Sequence, residues 1–293
     1  MNLLKSMFIS NYMMAIMGVA GYAGWMLYRG ADPVAWGGVM LTSAPLMMFI
    51  SVAMMFKNIA RTSARFPLIN FLGAAGTGLT IWAWYQPGTS QFYTPGYLAP
   101  VLALVGWGGF LLYAYWYSSY GRVPSSRIRI GSTLPNFTVR NASGSTVTTA
   151  QLTDKPAILM FYRGNWCPLC MAQVKELVGR YKDLSALGVR VALISPQPHS
   201  NTEALAKKFD VPFDFLTDKG NVAARILGIE QNHGLPMGMQ MFGYDNETVL
   251  PTVIITDKNG KVIWNYETDN YRIRPEPDVY LDVLRKHRVV ATS

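Results

Sequence analysis

The distribution of charge along the chain most constrains what it can fold into. The chain has 293 residues, with 26 Lys or Arg and 17 Asp or Glu, yet few of these precede Gly121. The charged side chains before Gly121 are Lys5, Arg29, Asp32, Lys57, Arg61 and Arg65. The apolar runs between them have the length of helices that cross a bilayer, in which a single segment satisfies its backbone only as a helix. We therefore expect an all-α transmembrane domain over residues 1–121, followed by a soluble domain.

About four spans are predicted in the transmembrane domain. Their expected bounds are residues 7–28, 34–56, 66–85 and 97–117. Gly73, Gly76 and Gly78 in the third run either let helices pack closely, as small residues do in membranes, or are glycines that an ordinary span tolerates. No acid or histidine lies within any span, so nothing indicates an ion or proton path. We expect the spans to serve as an anchor, an oligomerisation surface or a contact for a membrane protein partner.

Basic residues predict how the chain is oriented in the lipid bilayer. Residues 122–131 form a basic linker, and basic residues beside anionic lipid account for the net charge of +9 without nucleic acid as a partner. Basic side chains flank alternate ends of the spans: Lys5, then Lys57, Arg61 and Arg65, then Arg122, Arg127 and Arg129. The positive-inside rule then places both termini in the cytoplasm, with the spans in a bacterial-type inner (plasma) membrane. The alternative places the soluble domain on the periplasmic, extracytoplasmic side.

The only two cysteines, Cys167 and Cys170, lie where a strand pattern changes to a helix pattern. Residues 157–162 are an apolar run typical of a buried strand. A Gly-Asn turn signal follows, and helical periodicity begins after it. Pro168 stands early in the first helical turn, where a proline costs least. The sequence therefore predicts a Cys-x-x-Cys pair at the N-terminus of a helix.

This position predicts redox chemistry for the cysteines. A helix N-terminus favours a thiolate, which is the form that attacks a disulfide or a peroxide. We expect Cys167 to lie at the exposed edge and attack first, Cys170 to resolve the mixed disulfide, and Trp166 to cover one side of the sulfur. A zinc site would need two more ligands, and the three histidines are scattered along the chain. We therefore expect no metal and no other cofactor.

Three segments carry a resemblance to a known family. They are Phe-Tyr-Arg-Gly-Asn-Trp-Cys-Pro-Leu-Cys at 161–170, Leu-Pro-Thr-Val-Ile-Ile-Thr-Asp-Lys-Asn-Gly at 250–260, and Asp-Asn-Tyr-Arg-Ile-Arg-Pro-Glu-Pro at 269–277. In this order they resemble the peroxiredoxin-like (AhpC/TSA type) branch of the thioredoxin superfamily, over about residues 131–288. The resemblance implies an α/β thioredoxin-like fold at 132–290, with a central mixed sheet flanked by helices. We recognise no family in the first half of the chain.

Hydrophobic patterning predicts the elements of this second domain. A hairpin is expected within residues 134–149, and the Cys-x-x-Cys helix is expected to run from Cys167 to Leu187. Further strands are expected at 190–195, 213–217, 253–256 and 262–266, and further helices at 202–209, 221–227 and 279–286. Alternation of strands and helices implies parallel pairs within the sheet.

The resemblance assigns a supporting role to Pro251 and Thr252. In the thioredoxin superfamily the proline at this place is cis and lies against the Cys-x-x-Cys, where it presents backbone to an extended peptide or thiol substrate. A cis proline is a costly and specific feature. The alternative is a proline that simply begins a strand. We expect the cis form.

Two reactions compete for this site, and a third class has no reaction. Peroxiredoxins carry Pro-x-x-x-Thr-x-x-Cys and an activating arginine. If Cys170 holds the peroxidatic position, Cys167 and Arg163 replace the threonine and the proline, and Leu250-Pro251 replaces the arginine. These departures favour exchange with a protein or small-molecule thiol or disulfide over peroxide reduction. The third class is a membrane-complex subunit that retains a redox fold, because fold alone does not establish function.

Arg163 is the residue expected to assist the thiolate. Thioredoxin has a buried acid six residues before its first cysteine, and Phe161 stands at that place here. A nearby cation would lower the thiolate pKa and make the couple more oxidising. The alternatives are that a water handles the proton, or that Arg163 forms a surface or interdomain ion pair.

Met237, Met239 and Met241 alternate in an unusual segment that begins at His233. Thioethers are soft ligands, so copper binding is one interpretation. The other is a flexible apolar lip for substrate beside Pro251, since methionine adapts to irregular surfaces. We expect the lip and no metal.

Overall fold

A computed structural model describes residues 2–55, 64–86 and 96–287. The described residues form two compact units, a helical one within residues 7–119 and an α/β one that comprises residues 120–287 together with residues 2–6. The last residue of the second predicted span, Phe56, and the basic residues Lys57 and Arg61 lie outside the described residues, as do the last residues of the second predicted domain, 288–290.

Among the described residues, the helical unit contains four helices at the predicted places. They are α1 (Asn2–Tyr28), α2 (Pro33–Met55), α3 (Pro67–Trp84) and α4 (Leu98–Leu111), which continues as a π-helical segment over Leu112–Tyr117. By length and composition, three stretches of the described residues could cross a membrane: Asn2–Tyr28, Pro33–Val52 and Leu98–Tyr117. The 18-residue α3 is not among them, because Asn70 and several Gly and Thr residues lower its mean hydropathy. The third expected span, residues 66–85, therefore stays a prediction.

Glycines set the distance between α2 and α3. A Cβ on Gly38 would lie 2.6 Å from the carbonyl oxygen of Gly76, and a Cβ on Gly76 would lie 2.5 Å from that of Gly38. A Cβ on Gly73 would overlap the ring of Trp107, whereas one on Gly78 would meet nothing within 4 Å. Close packing is therefore confirmed for Gly73 and Gly76, and Gly78 is a glycine that the helix tolerates.

The α/β unit is built on a seven-stranded sheet. Its strands are β1 (Thr138–Asn141), β2 (Thr146–Thr148), β3 (Ala157–Phe161), β4 (Arg190–Ser195), β5 (Asp214–Thr217), β8 (Thr252–Thr256) and β9 (Val262–Glu267), in the order β2-β1-β5-β4-β3-β8-β9. A separate antiparallel pair is formed by β6 (Glu230–Gln231) and β7 (Thr248–Val249). The helices are α5 (Thr149–Leu152), α6 (Pro168–Gly179), α7 (Tyr181–Ala186), α8 (His199–Phe209), α9 (Val222–Leu227) and α10 (Pro277–Lys286).

The central strand β3 is buried along its whole length, as its continuous apolar sequence predicts. It pairs in parallel with β4 and antiparallel with β8, so Phe161 lies opposite Thr252 at the strand's end. The sheet is mixed and the chain returns to it through helices, which confirms the α/β thioredoxin-like fold that the resemblance implied.

Two features differ from the predicted pattern. The single helix expected over residues 167–187 is divided at Arg180, whose φ of −107° and ψ of 16° leave helical geometry directly after Gly179.

Residues expected as a linker also pack onto the α/β unit. Ile128 is fully buried in its core, and Arg122 forms a 2.5 Å ion pair with Glu267 in which both side chains are buried. Arg122 therefore stabilises the domain rather than facing lipid.

Candidate active site

The loop between β3 and α6 requires a glycine at Gly164. Its φ is +144°, a region that L side chains rarely adopt, and a Cβ there would lie 2.8 Å from the indole ring of Trp166. The Gly-Asn turn signal therefore has a steric reason. The carbonyl of Gly164 also accepts the backbone N–H of Cys167 at 3.2 Å, which closes the turn into the helix.

Side chains from other elements fasten this loop. The backbone N–H of Asn165 donates to Oε1 of Gln197 at 2.8 Å, and the Tyr244 hydroxyl donates to Oδ1 of Asn165. Thr248 donates its hydroxyl to the carbonyl of Arg163 at 3.0 Å. The sequence indicated none of these three partners, because each comes from a distant segment.

Cys167 and Cys170 occupy the start of α6 as predicted. Cys167 is the N-cap, Pro168 is the first helical residue, and the N–H of Met171 donates to the carbonyl of Cys167 at 3.0 Å. Both cysteines are free thiols, with exposures of 1% and 0%. The expectation that Cys167 lies at an exposed edge is therefore wrong. Its sulfur is enclosed because the preceding loop is fastened to neighbouring elements instead of projecting into solvent.

The two thiols differ in acidity. A hydrogen bond from the Cys170 thiol, followed by the charges of Arg163 and Arg274, outweighs burial and lowers the pKa of Cys167 to about 6. Burial and the neighbouring Cys167 raise the pKa of Cys170 well above its usual value. Cys167 is therefore the thiolate at neutral pH, and Cys170 is the thiol that donates to it.

Arg163 is buried against aromatic rings. Its Cζ lies 4.6 Å from the ring centroid of Trp166 and 5.8 Å from that of Tyr271, and its guanidinium donates to the carbonyl of Gly234. These contacts hold the cation where it stabilises the thiolate of Cys167. The burial of Arg163 does not fit a surface ion pair, and the interdomain ion pair considered as an alternative stays untested.

Arg274 and Tyr120 belong to the site although the sequence did not single them out. The charge of Arg274 lowers the pKa of both cysteine thiols, and the buried Tyr120 hydroxyl interacts electrostatically with Arg163, Arg274 and both sulfurs. Arg274 lies in the third segment that carries the family resemblance, and that was the available signal. Tyr120 had none, because it precedes the expected domain.

Pro251 and Thr252 are buried at the start of β8. Nη1 of Arg122 donates to the carbonyl of Pro251 at 3.0 Å, and Nη2 donates to the Thr252 hydroxyl at 2.9 Å. Every described peptide bond is trans, so the expected cis form of Pro251 is wrong. Hydrogen bonds fix the chain on both sides of this trans bond. Arg122 binds Pro251 and Thr252, and the N–H of Leu250 donates to the carbonyl of Ile229 at 2.7 Å. The roles of Pro251 and Thr252 toward a substrate stay predictions.

The methionine segment forms an exposed turn. Met239–Phe242 is a short 3₁₀ helix between Gly238 and Gly243, and Met241 and Phe242 are exposed. No group of three or more His, Cys, Asp or Glu side chains among the described residues could hold a metal ion. Thioether ligation of copper and the substrate lip both stay untested interpretations.

Comparisons with known proteins agree with this geometry. A buried Cys-x-x-Cys at a helix start, after the central strand of a thioredoxin-like sheet, defines a thioredoxin-fold domain with a dithiol site. The AhpC/TSA family model matches residues 130–265. Over these residues the chain is therefore similar to the AhpC/TSA family, as the three sequence segments implied.

Individual relatives cover the same part of the chain. Chloroplastic peroxiredoxin Q of Triticum aestivum is 30% identical over 125 residues, which are 42% of this chain and 58% of that protein. The thiol-disulfide oxidoreductase ResA of Bacillus cereus is 28% identical over 167 residues, which are 56% and 81% of the two chains. The solved structure of peroxidoxin BcpB from Mycobacterium tuberculosis has a TM-score of 0.46 at 18% identity and covers 56% of this chain and 99% of that one. The matches to the first three peroxiredoxin Q relatives span 58% to 66% of their length.

Gly164→Ala tests the steric requirement of the loop. We expect a loss of about 1–3 kcal/mol in the free energy of unfolding, because an alanine at this φ is strained and its Cβ meets Trp166. Gly179→Ala is the matched control, since it has an ordinary φ and a Cβ there meets nothing within 4 Å. Denaturant unfolding of both variants measures the difference. Equal stability of the two would contradict the account of the loop.

The pKa of Cys167 predicts a pH dependence. The rate of its alkylation by iodoacetamide should rise with pH through about 6 and then level off, since only the thiolate reacts. In Cys170→Ala the midpoint should move to higher pH, because the largest stabilising hydrogen bond is lost. Mass spectrometry identifies the alkylated residue. An unchanged midpoint in Cys170→Ala would show that the thiol pair does not set the acidity.

Proposed function

We propose that this protein is a membrane-anchored thiol–disulfide oxidoreductase. The observation that carries the proposal is the unequal thiol pair, with Cys167 acidified at the N-cap of α6 and Cys170 kept protonated beside it. The family implies thiol or peroxide substrates, and the matched ResA of Bacillus cereus is named a thiol-disulfide oxidoreductase. The expected substrate is a protein or small-molecule thiol or disulfide.

The proposed reaction uses both sulfurs in turn. The Cys167 thiolate attacks one sulfur of a disulfide, so that a mixed disulfide forms and a thiolate leaves. Cys170 then loses its proton and attacks the Cys167 sulfur, which releases the second thiol and leaves a Cys167–Cys170 disulfide. Two electrons pass from the dithiol to the substrate, and the reverse sequence oxidises a substrate dithiol. Because Cys167 is 1% exposed, part of its cover must move before a substrate reaches the sulfur.

Peroxide reduction is the second candidate, and the similarity to peroxiredoxin Q favours it. If Cys170 were the peroxidatic residue, Cys167 and Arg163 would stand where peroxiredoxins carry threonine and proline. The raised pKa of Cys170 opposes that assignment, because a protonated thiol is a poor nucleophile. A non-enzymatic membrane subunit is the third candidate, and the polarised thiol pair argues against it.

The proposed location is a bacterial-type inner membrane with the redox domain on the cytoplasmic side. Three helical stretches long and apolar enough to cross a membrane support anchoring in a lipid bilayer. The basic residues other than Arg122 at alternate ends of the four expected spans support the side: Lys5, then Lys57, Arg61 and Arg65, then Arg127 and Arg129. A membrane protein partner is proposed for the helices, and no nucleic acid is involved. The alternative is the periplasmic side.

Single cysteine variants test the order of attack. Cys170→Ser should accumulate a mixed disulfide through Cys167, because the resolving thiol is gone, and Cys167→Ser should lose exchange altogether. Mass spectrometry of each variant after a disulfide or limited peroxide measures this. A sulfenic acid that forms rapidly on Cys170 in Cys167→Ser, with poor exchange in the unmodified protein, would make the protein a peroxidase.

Reporter fusions test the topology. A reporter at the C-terminus should be active in the cytoplasm, and reporters in the loops after the first and third expected spans should be active outside, since those loops carry Arg29 and Asp32 or no charge. Activity of the C-terminal fusion in the periplasm would overturn the proposed side.

A further inference from the structure

Arg274 is a buried cation whose hydrogen-bonding groups are unused. It is 6% exposed, and its Nε, Nη1 and Nη2 atoms are buried without a hydrogen-bond partner among the residues described. A guanidinium presents five N–H donors in a planar fork. Burying them without an acceptor is unfavourable, and native proteins rarely do so. The residue therefore points to an acceptor that arrives with a ligand.

Tyr120 supplies a second unused donor. Its hydroxyl is buried and has no hydrogen-bond partner within the described part of the chain. Burial raises the pKa of Tyr120 to about 12, so the hydroxyl keeps its proton at neutral pH. The N–H of Tyr120 donates to the carbonyl of Asp269 at 2.8 Å, and its ring lies 6.4 Å from that of Tyr271. The segment that continues to Arg274 thus holds Tyr120 in place.

Hydrogen bonds fix Arg274 relative to the helix that carries the cysteines. The carbonyl of Pro275, the next residue, accepts from the Tyr280 hydroxyl at 3.3 Å. That hydroxyl accepts from Nε2 of Gln173 at 2.8 Å, and Gln173 lies three residues after Cys170 on α6. The influence of Arg274 on both thiols agrees with this placement. Arg274 therefore lies within electrostatic reach of both sulfurs.

The two carboxylates in the segment that precedes Arg274 bind Arg122. Glu267 pairs with the guanidinium of Arg122 at 2.5 Å, and Oδ1 of Asp269 accepts the backbone N–H of Arg122 at 2.7 Å. Neither is a hydrogen-bond partner of Arg274. A carboxylate matches the planar fork of a guanidinium and binds it through two parallel hydrogen bonds. Since both donors are buried, a small molecule fits this site better than a protein surface.

We propose that Arg274 and the Tyr120 hydroxyl bind the carboxylate of a small thiol or disulfide substrate and hold its sulfur at Cys167. This inference rests on the proposed exchange function and names its substrate class. The electron balance is that of exchange: Cys167 bonds to one substrate sulfur, the substrate S–S bond breaks, and the carboxylate-bearing thiolate leaves and takes a proton from water. Cys170 then displaces the second thiol.

Three disulfides that differ in charge test the proposal. They are the disulfides of mercaptopropionate (anionic), mercaptoethanol (neutral) and cysteamine (cationic). The reduced full-length protein in detergent micelles is mixed with each, and the rate of Cys167–Cys170 disulfide formation is measured over a single turnover. Each rate is divided by the rate of the same disulfide with a free model thiol. We expect the anionic disulfide to react about ten-fold faster than the neutral one, and the cationic one to react slowest.

Two variants test whether Arg274 and Tyr120 cause the preference for the anionic disulfide. Arg274→Gln should reduce the anionic-to-neutral ratio to near one, and Tyr120→Phe should reduce it partly. The ratio cancels the effect of Arg274 on the Cys167 thiolate, because that effect is common to both disulfides. Arg129→Gln removes the same charge from an exposed position and is the matched control, in which the ratio should persist.

Three results would overturn the carboxylate site. They are equal corrected rates for the anionic and neutral disulfides in the unmodified protein, a ratio that survives Arg274→Gln, or a ratio lost equally in Arg129→Gln. The first requires no variant, so the test holds even if Arg274→Gln fails to fold. Failure of all three disulfides to oxidise the cysteines would instead contradict the proposed function itself.

Discussion

The hydrogen bond between the thiols of Cys170 and Cys167 is the interaction on which the site depends. It is the largest cause of the lowered pKa of Cys167, where it opposes burial, and together with burial it raises the pKa of Cys170. A buried thiolate without a donor would be costly, so burial and the thiol pair must occur together. Arg163 and Arg274 add positive charge, and the backbone N–H of Cys170 in the first turn of α6 lowers the pKa of Cys167 further. Cys167 is therefore the reactive thiolate, and Cys170 remains a thiol that donates a hydrogen bond to it.

The sheet and the segments packed against it position the two cysteines. The strand β3 delivers the loop at the edge where Phe161 meets Thr252, and Gly164 lets the loop turn into α6. On the far side of the helix, Gln173 and Tyr280 connect α6 to the segment that carries Arg274. The Arg122–Glu267 pair holds the start of the unit against Pro251 and Thr252. These contacts come from different parts of the chain, and together they fix the position of the cysteines.

The sequence predicted those features that depend on residues close together in the chain. The burial of β3 followed from its apolar run, the start of α6 from Pro168, and the fold from three ordered motifs. The break at Arg180 was missed because a glycine near a helix end can either terminate a helix or be tolerated within it. The cis form of Pro251 came from analogy, and here Arg122 and Ile229 hold a trans chain. Long-range placement of Tyr120 and Arg274, like the burial of Cys167, is a tertiary property that no spacing in the sequence encodes.

The central claim is that the acidified Cys167 serves disulfide exchange, and one comparison tests it most directly. The reduced full-length protein is oxidised in single turnover by hydrogen peroxide and by a neutral small disulfide, and each rate is divided by that of a free thiolate with the same oxidant. The account predicts the larger acceleration for the disulfide, because Cys170 stands ready to resolve the mixed disulfide at Cys167. A larger acceleration for peroxide, with the oxidised sulfur on Cys170, would contradict it.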